Sequence, residues 1–374
     1  MFIKPLSSLE IQKRSRGMVE ALHRRINPHS PESNEARMYR SMSVLEIARE
    51  FYEMQGVNTR GMSRMEMAGF ALQTRGGFQG AGDFTSLLAD VAQKRLRDAY
   101  QEAEVTYTMW ARKAPNAPDF RPINVVQLSG APDLLKTNEH GEFQHGSITD
   151  QGETYSVVTY GRIVSLTRTA MVNDDLRGFD RMVQAFGASA RRLENRLVYS
   201  QLTANGNMAD GRPIFHADFG NLSTGAGSAL DAGSLSAGRS AMRKQKGLAN
   251  EELNLAPSYL IVPAALEQTA YQLTSSNYVP STKAEINEFR QGGRSSLTPV
   301  VEPLLDSFSE SSWFLAAGSS QVDTVEYCYL DGAEGPVIDS QPEFRFDAVS
   351  FRCRLDFAAK AIDRKGLHRS DGQG

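Results

Sequence analysis

Cysteine is nearly absent from this chain: 374 residues hold only Cys328 and Cys353. The two share no C-x-x-C spacing, so no zinc knuckle, redox pair or disulfide framework is implied. Each lies in an alternating, strand-like run and is expected as a small buried hydrophobe in a reducing cytosol. Long apolar runs are missing as well, so no segment reaches bilayer-spanning length. The opening MFIKPLSSLEIQKRSRG has no hydrophobic core of signal-peptide length. A cytoplasm-like setting without a membrane partner is the expectation. Neither sign of charge dominates: 41 Lys and Arg face 44 Asp and Glu, a net charge of -3. No global basic excess therefore advertises a nucleic-acid or membrane partner. GxSxG, P-loop, HExxH and GxGxxG patterns are all missing, which removes the commonest hydrolase, nucleotide, zinc-protease and dinucleotide readings. No cofactor or metal is expected.

What remains is a folded, soluble composition, 40% hydrophobic and 23% charged, long enough for one large domain or two ordinary ones. The charge is uneven. Residues 1–75 carry 12 basic and 8 acidic side chains, an excess of four; the other 29 and 36 leave the remainder acidic by seven. Such a front end suits contact with a polyanion, and equally a solvated helical face.

Residues 1–82 read as an arm. Two amphipathic helical patches, about Leu6–Ile26 and Met42–Gln55, flank the polar connector INPHSPESNE, and GGFQGAG follows as a flexible joint. Short helices on flexible joints are expected to bury little apolar surface alone. Asp83 is positioned to cap the helix FTSLLADVAQKRLRDAYQEA. VTYTMWARK and the proline-bearing stretch after it read as extended chain. Over 124–172, VVQLSGAPDLLK and TYSVVTYGRIVSLTRTAMV alternate around a polar turn and predict a long two-stranded ribbon. A ribbon of that kind is marginal alone and calls for a partner. A long helix is predicted from about 178 to 203, stopping at Asn205-Gly206. SAGRSAMRKQKGL reads as a helix ended by Gly247. The β/α mixture from 222 to 335 reads as one compact domain, and FRFDAVSFRCRLDFAAKAID as a strong closing strand.

Candidate chemistry is sparse. His140 and His145 lie five apart in the ribbon turn near Glu139 and Glu142; a metal site is one reading, solvated turn residues the other. His216 and Asp218 suggest a dyad, but no nucleophile is fixed beside them, and a loop histidine packed on Phe215 is the simpler expectation. Asp174 and Asp175 precede a helix, where carboxylates suit capping and the dipole. Arg243, Lys244 and Lys246 cluster at a helix end, favourable to the dipole and compatible with a phosphate contact. Arg181, Arg191, Arg192 and Arg196 decorate the long helix and read equally as solvated positions.

Several segments carry a more specific resemblance: RMYRSMSVLEIAREFYEMQGVNTRGMSR, TSLLADVAQKRLRDAY, TMWARKAPNAPDFRP, GRIVSLTRTAMVNDDLRGFDRM, MADGRPIFHADFGNL, AMRKQKGL, LNLAPSYLIVPAALEQTA, WFLAAGSSQVDTVEYCYLDGAEGP and RLDFAAKAIDRKGL. They resemble the major capsid proteins found as the C-terminal part of phage prohead protease–capsid fusions, and are similar to the Mu-like head subunit family, from about Arg37 to Leu367. The resemblance implies an α+β, Hong Kong 97-type capsid fold. It implies an N-terminal arm (1–82), a peripheral domain with a long spine helix (83–123, 166–221 and 336–374), an extended hairpin loop (124–165) and an axial α/β domain (222–335). It implies a non-enzymatic head protein that assembles as pentamers and hexamers into an icosahedral shell around phage double-stranded DNA, a virion component assembled in the host bacterial cytoplasm.

Intersubunit contacts are then expected at Lys136, Glu139, Glu142, Glu153 and Arg162, and DNA-facing side chains at Arg14, Arg16, Arg24, Arg25, Arg191, Arg192 and Arg196. DNA contact would be non-specific and electrostatic. Portal, scaffold, maturation protease and decoration proteins are further implied partners. Some related capsids crosslink through a lysine of the extended loop. Lys136 lies there, yet nothing in the sequence marks an acceptor asparagine or catalytic acid, so salt bridges and β-augmentation are the default. The fusion relatives carry a serine protease upstream; this chain, beginning at Met1 without a serine-protease elbow, is expected as a standalone capsid gene or a processed product. Two other readings stay open. An encapsulin-like nanocompartment shell uses the same fold around cargo protein, and an enzyme of unrecognised class would have to work through His216 and Asp218.

Overall fold

A computed structural model describes residues 7–72, 84–128, 150–167, 169, 172–173, 176–247, 250–275, 296–342 and 348–373. The chain divides into two compact units: Met1–Glu104 with Thr159–Arg192 and Gly332–Asp356, and Val105–Val158 with Leu193–Asp331 and Phe357–Gly374.

The first unit is mostly helical. Three of its helices start where a serine meets a glutamate three residues on. Ser7 and Glu10 form a capping box at α1 (Ser8–Ile26), and Ser43 and Glu46 form one at α3 (Val44–Met54). The same reciprocal pair joins Ser63 and Glu66 at α4 (Arg64–Leu72). Each box satisfies two otherwise orphaned N–H groups. Ser33 caps the single turn α2 (Asn34–Arg37), on which α1 rests so closely at Gly17 that an added Cβ would lie 2.8 Å from the Glu35 Cβ.

With α5 (Phe84–Glu102) these helices enclose one core, in which Met18, Leu22, Ile47, Phe51, Tyr52, Phe84 and Leu96 are buried. The expectation of an arm with little core of its own thus fails for residues 8–72. Their capped, amphipathic helices are short enough to need a neighbour, and they find it in one another and in α5. The first half of α6 (Leu176–Thr203) adds Phe179 and Val183 to this core, and Arg95 of α5 holds Asp180 at 2.7 Å. At Gly187 a Cβ would sit 2.8 Å from the Ala99 Cβ and 2.9 Å from the Tyr100 nitrogen, so α5 and α6 touch backbone to backbone there.

Strand β11 (Ala348–Ala361) closes the first unit from the far end of the sequence. Its first half pairs antiparallel with β10 (Val337–Pro342), from Val337 opposite Arg354 to Gln341 opposite Ser350. On its other side lies β4 (Val158–Thr167). The predicted ribbon therefore ends earlier at its base than its sequence pattern, while its outer part, residues 129–149, lies outside the described residues. β2 (Ile123–Leu128) pairs antiparallel with β3 (Asp150–Tyr155), but the continuation beyond Ser156 leaves the ribbon and pairs with β11. Val157, 4% exposed, marks the break by turning into the core.

The second unit is built on a five-stranded sheet, in the order β5 (Leu222–Ser223), β12 (Leu367–Ser370), β8 (Trp313–Ala317), β6 (Pro257–Val262) and β7 (Thr298–Val301). Every residue of β8 is buried. Helices α7 (Ala232–Arg243) and α8 (Glu267–Thr274) supply Leu235, Met242, Ala270 and Leu273 to the same core. α7 starts earlier than its sequence suggested, because Asp231 caps it, and ends at Arg243, with Lys244 as its C-cap, rather than at Gly247. The same unit holds β1 (Arg112–Lys113), which runs parallel to β9 (Val325–Tyr329), and β9 pairs antiparallel with the second half of β11.

Two segment assignments change as a result. β12, expected with 336–374 in the peripheral domain, pairs with β8 and β5. β9, expected within 222–335, joins β1 and β11 instead. Alternation reveals a strand but not its neighbour. VTYTMWARK is likewise not extended throughout: Tyr107–Met109 forms a 3-10 turn. Helix and sheet in this combination bear out the expected α+β class.

The helix contact at Gly187 yields a test. Gly187→Ala should cost about 1–3 kcal/mol by urea denaturation, overpacking outweighing the roughly 1 kcal/mol of helix propensity gained. Gly206→Ala, with nothing within 4 Å of the new methyl, should stay within about 0.5 kcal/mol of wild type.

Candidate functional site

Of the residues singled out by sequence, Lys136, Glu139, His140, Glu142, His145, Asp174 and Asp175 lie outside the described residues. Glu153, expected at a subunit contact, is instead used inside the fold. It is 3% exposed, accepts a hydrogen bond from the Ala209 N–H at 2.7 Å, and lies 3.6 Å from the Lys360 ammonium. Alternation along β3 explains this, since Glu153 and Tyr155 share the inward face. Tyr155 donates to Glu326 at 2.6 Å, and burial pushes its hydroxyl well above the ordinary range. Burial also raises the Cys328 thiol, and pushes that of Cys353 up to about 11; both cysteines are free and buried, as expected. Arg162 is exposed on β4.

The candidate DNA-facing arginines differ in how far the fold has engaged them. Arg14 lies 3.4 Å from Glu50. Arg24 donates to the Ser30 carbonyl at 2.7 Å, and Arg25 to that of Met42 at 3.0 Å. Arg191 donates to the Tyr100 carbonyl at 2.9 Å, with its guanidinium 3.8 Å from the centre of the Tyr100 ring. Arg16, Arg192 and Arg196 are exposed. Arg24 and Arg25 share one small cleft.

His216 and Asp218 serve a turn. His216 caps the 3-10 turn Ala217–Phe219, its Nδ1 accepting from the Asp218 N–H at 3.2 Å, while Arg212 holds the Asp218 carboxylate at 2.6 Å. The ring lies edge-on to Phe219, not on Phe215, which packs against Phe314. Beside this turn is a cavity of about 720 Å³, lined among others by Lys244, Lys246, Lys365, Arg364, Asp210 and Asp363. Part of its charge pairs off within the protein. Arg364 meets Asp210 at 2.5 Å, and the Arg364 and Arg212 guanidiniums each lie 4.2 Å from the Phe219 ring centre. Burial raises the Asp363 carboxyl, whose Oδ1 accepts from the Lys365 N–H.

A second polar cluster had no counterpart in the sequence reading. Glu302, 3% exposed, accepts from Thr106, from Asn195 at 2.8 Å and from the Leu304 N–H at 3.1 Å. Glu194, fully buried, accepts from the Tyr107 hydroxyl at 2.9 Å, and Trp110 donates to the Tyr199 hydroxyl at 3.1 Å. Each carboxylate is met by hydrogen-bond donors, which fits a structural network. Among the described residues no group of three or more His, Cys, Asp or Glu is placed to hold a metal ion, and no helix is long and apolar enough to cross a membrane.

The phage capsid protein family matches residues 151–370, well over half of the chain. The chain belongs to the phage capsid protein family, and is a capsid shell protein with the α+β capsid fold that the resemblance implied. Solved structures similar to it include a chain of Mycobacterium phage Adephagia, at 10% identity and a TM-score of 0.43, covering 72% of this chain and 90% of that one. The procapsid of bacteriophage JBD30 matches at 15% identity and a TM-score of 0.41, covering 76% of this chain and 74% of that one. An encapsulin complex from Synechococcus elongatus matches at 12% identity and a TM-score of 0.42, covering 73% and 89%. No curated protein sequence matches significantly.

Two buried groups generate measurements. His368 is 2% exposed, and its Nε2 lies 3.0 Å from the Ser223 hydroxyl. Burial pushes its pKa from 6.5 down to about 4. Below pH 6.5 the unfolded chain therefore binds a proton that the folded chain refuses, so stability is complete above that pH and falls towards pH 4. At about 1.4 kcal/mol per unit, wild type should lose on the order of 3 kcal/mol more than His368→Gln over this window, read from urea curves at each pH. Glu153→Ala should cost about 1–3 kcal/mol, since it strands the Ala209 N–H and the Lys360 charge.

Proposed function

We propose that this capsid protein self-assembles as pentamers and hexamers into an icosahedral shell that encloses phage double-stranded DNA, in the bacterial cytoplasm, and that its role is structural rather than catalytic. The observation that carries the reading is the family match over residues 151–370, taken with a ribbon in which β2 and β3 pair only with each other among the described residues. On that ribbon Val126 is 51% exposed. A two-stranded ribbon gains stability when a further surface covers it, and in a shell that surface belongs to another copy. Arg162, exposed on β4, is offered as an intersubunit contact, as are Lys136, Glu139 and Glu142. The exposed Arg16, Arg192 and Arg196 are offered as electrostatic contacts to packaged DNA. Portal, scaffold, protease and decoration proteins complete the implied partners.

Negative-stain electron microscopy of the purified chain over a range of salt and concentration tests assembly. Closed shells, tubes or free pentamers and hexamers are expected. A chain that stays monomeric or dimeric under every condition, with scaffold and protease supplied, would overturn the reading. Nuclease-resistant DNA within shells from infected cells is the expected content, whereas enclosed protein without DNA would move the assignment to a nanocompartment. Val126→Asp should abolish or slow assembly while leaving the Tm of the unassembled chain within a few degrees.

A further inference from the structure

The cavity of about 720 Å³ beside the His216 turn lies wholly within the second unit and has the volume of a ligand pocket. One of its walls is a single face of α7. Ala237, Ser240, Ala241 and Lys244 recur at helical spacing and line the cavity, while Leu235 and Met242 enter the core. Small side chains at 237, 240 and 241 leave the space open. The remaining walls are fixed in advance. Gln245 donates to the Phe219 carbonyl at 2.8 Å, and the Leu253 N–H donates to the Gln245 carbonyl at 3.1 Å. Arg364 reaches both Asp210 at 2.5 Å and the Pro213 carbonyl at 3.2 Å. A pocket braced in this way loses little freedom when a ligand enters.

Each carboxylate on the lining is bonded within the protein. Glu153 accepts from the Ala209 N–H and lies 3.6 Å from Lys360, and Asp210 meets Arg364. Asp218 meets Arg212 at 2.6 Å, and Asp363 accepts from the Lys365 N–H at 2.8 Å. Three cations on the lining are not bonded. Lys244, Lys246 and Lys365 make no ion pair and no side-chain hydrogen bond among the described residues, and Lys365 acts on Asp363 only through space. Two of them follow the end of α7, and the third lies in the turn between β11 and β12. The dipole of α7 offsets only part of this charge. The arginines that could offer a fork to a phosphate, Arg212 and Arg364, are already held by carboxylates and lie 4.2 Å from the Phe219 ring centre. Met208, Phe219, Ala237 and Ala241 add apolar surface to the lining, which a sugar–phosphate backbone has no group to cover. A peptide with carboxylates beside an apolar side chain would use both features.

We propose that this cavity is a docking site for an acidic peptide segment of a partner chain, whose carboxylates meet Lys244, Lys246 and Lys365 and whose apolar side chain lies against Ala237 and Ala241. The inference concerns the second unit alone and does not rest on shell assembly.

The test uses the full chain, unassembled, and a short fluorescent peptide of alternating glutamate and leucine, read by anisotropy. The same peptide with glutamine for glutamate, and a labelled duplex DNA, are the comparison probes. Wild type should bind the acidic peptide and not its glutamine counterpart. Lys244→Gln/Lys246→Gln should weaken binding about tenfold at about 0.1 M salt, and adding Lys365→Gln should weaken it further. Ala237→Leu keeps every charge and fills the exposed face of α7, so it should weaken binding by a similar factor. Arg60→Gln, exposed in the first unit, should change nothing. Melting temperatures within a few degrees of wild type show that each variant keeps its fold. No binding of the acidic peptide by wild type, or unchanged binding in the lysine variants, would overturn the proposal. So would loss in the lysine variants with Ala237→Leu unchanged, which marks attraction to charge outside the cavity. Lysine variants that lose duplex DNA while the peptide fails to bind would also overturn it, making the cluster a nucleic-acid contact. Microscopy of the same preparations reports on assembly separately, since shells can form with the docking site disproved, and the site can bind peptide in a chain that forms no shell.

Discussion

The structure depends on the backbone pairing of one late strand. β11 spans fourteen residues near the end of the chain, and its hydrogen-bonding edges are shared out along its length. Residues 349–354 pair with β10, and 357–361 with β9. Without β11, β10 loses its ladder and β4 its neighbour, and β9 keeps only the short parallel partner β1. Phe351 enters the core formed by the N-terminal helices, and Phe357 stacks on Tyr327 and meets Tyr329 edge-on. Neither unit can complete its sheet until the last part of the sequence exists. Such pairing has a high loop-closure cost, and folding is expected to be correspondingly slow. For a protein made in many copies this is a sensitive stage, because unpaired edges invite association with the wrong partner.

The distribution of polar groups fits a protein whose work is done by surfaces. Inside the second unit, carboxylates that would be costly alone are matched: Glu302 by three donors, Glu153 by an N–H and a lysine, Glu326 by Tyr155. Matching of this kind fixes the fold in one arrangement rather than poising a group for chemistry. His216 and Asp218, the pair most suggestive of catalysis in the sequence, are engaged in closing a turn. By contrast, exposed apolar side chains stand on β2 and β4, where Val126, Val158 and Ile163 are each at least half exposed. Exposure of that kind, in a family that builds shells, has its natural explanation in contact with further copies.

The arginines illustrate how one residue type takes different roles in one fold. Arg95 is nearly buried and closes two helices on each other through Asp180. Arg191 lies on an aromatic face and caps a carbonyl, and Arg364 stacks on Phe219 while holding Asp210. Arg24 and Arg25 donate to the carbonyls of Ser30 and Met42. All of these look alike in a count of basic residues. What separates them is the partner each meets, and partners come from segments tens to hundreds of positions away.

The sequence by itself determined the local elements. Apolar periodicity marked the helical patches that became α1 and α3 and the long helix near 178–203, and alternation marked β2, β4 and β11, because periods are short-range properties; most of β3 read as polar turn. The motifs also carried the family resemblance and the α+β class. Only the tertiary structure decided which strand lies beside which. Period-two patterning is the same whether a strand joins a ribbon or a sheet, so β4 passed for ribbon, and β9 and β12 were assigned to each other's neighbours. It also decided that residues 8–72 form a core, that Glu153 turns inward, and that Arg40 stands with Arg24 and Arg25. Those outcomes rest on long-range contacts, whose energy depends on what the fold brings near and not on any pattern within a few residues.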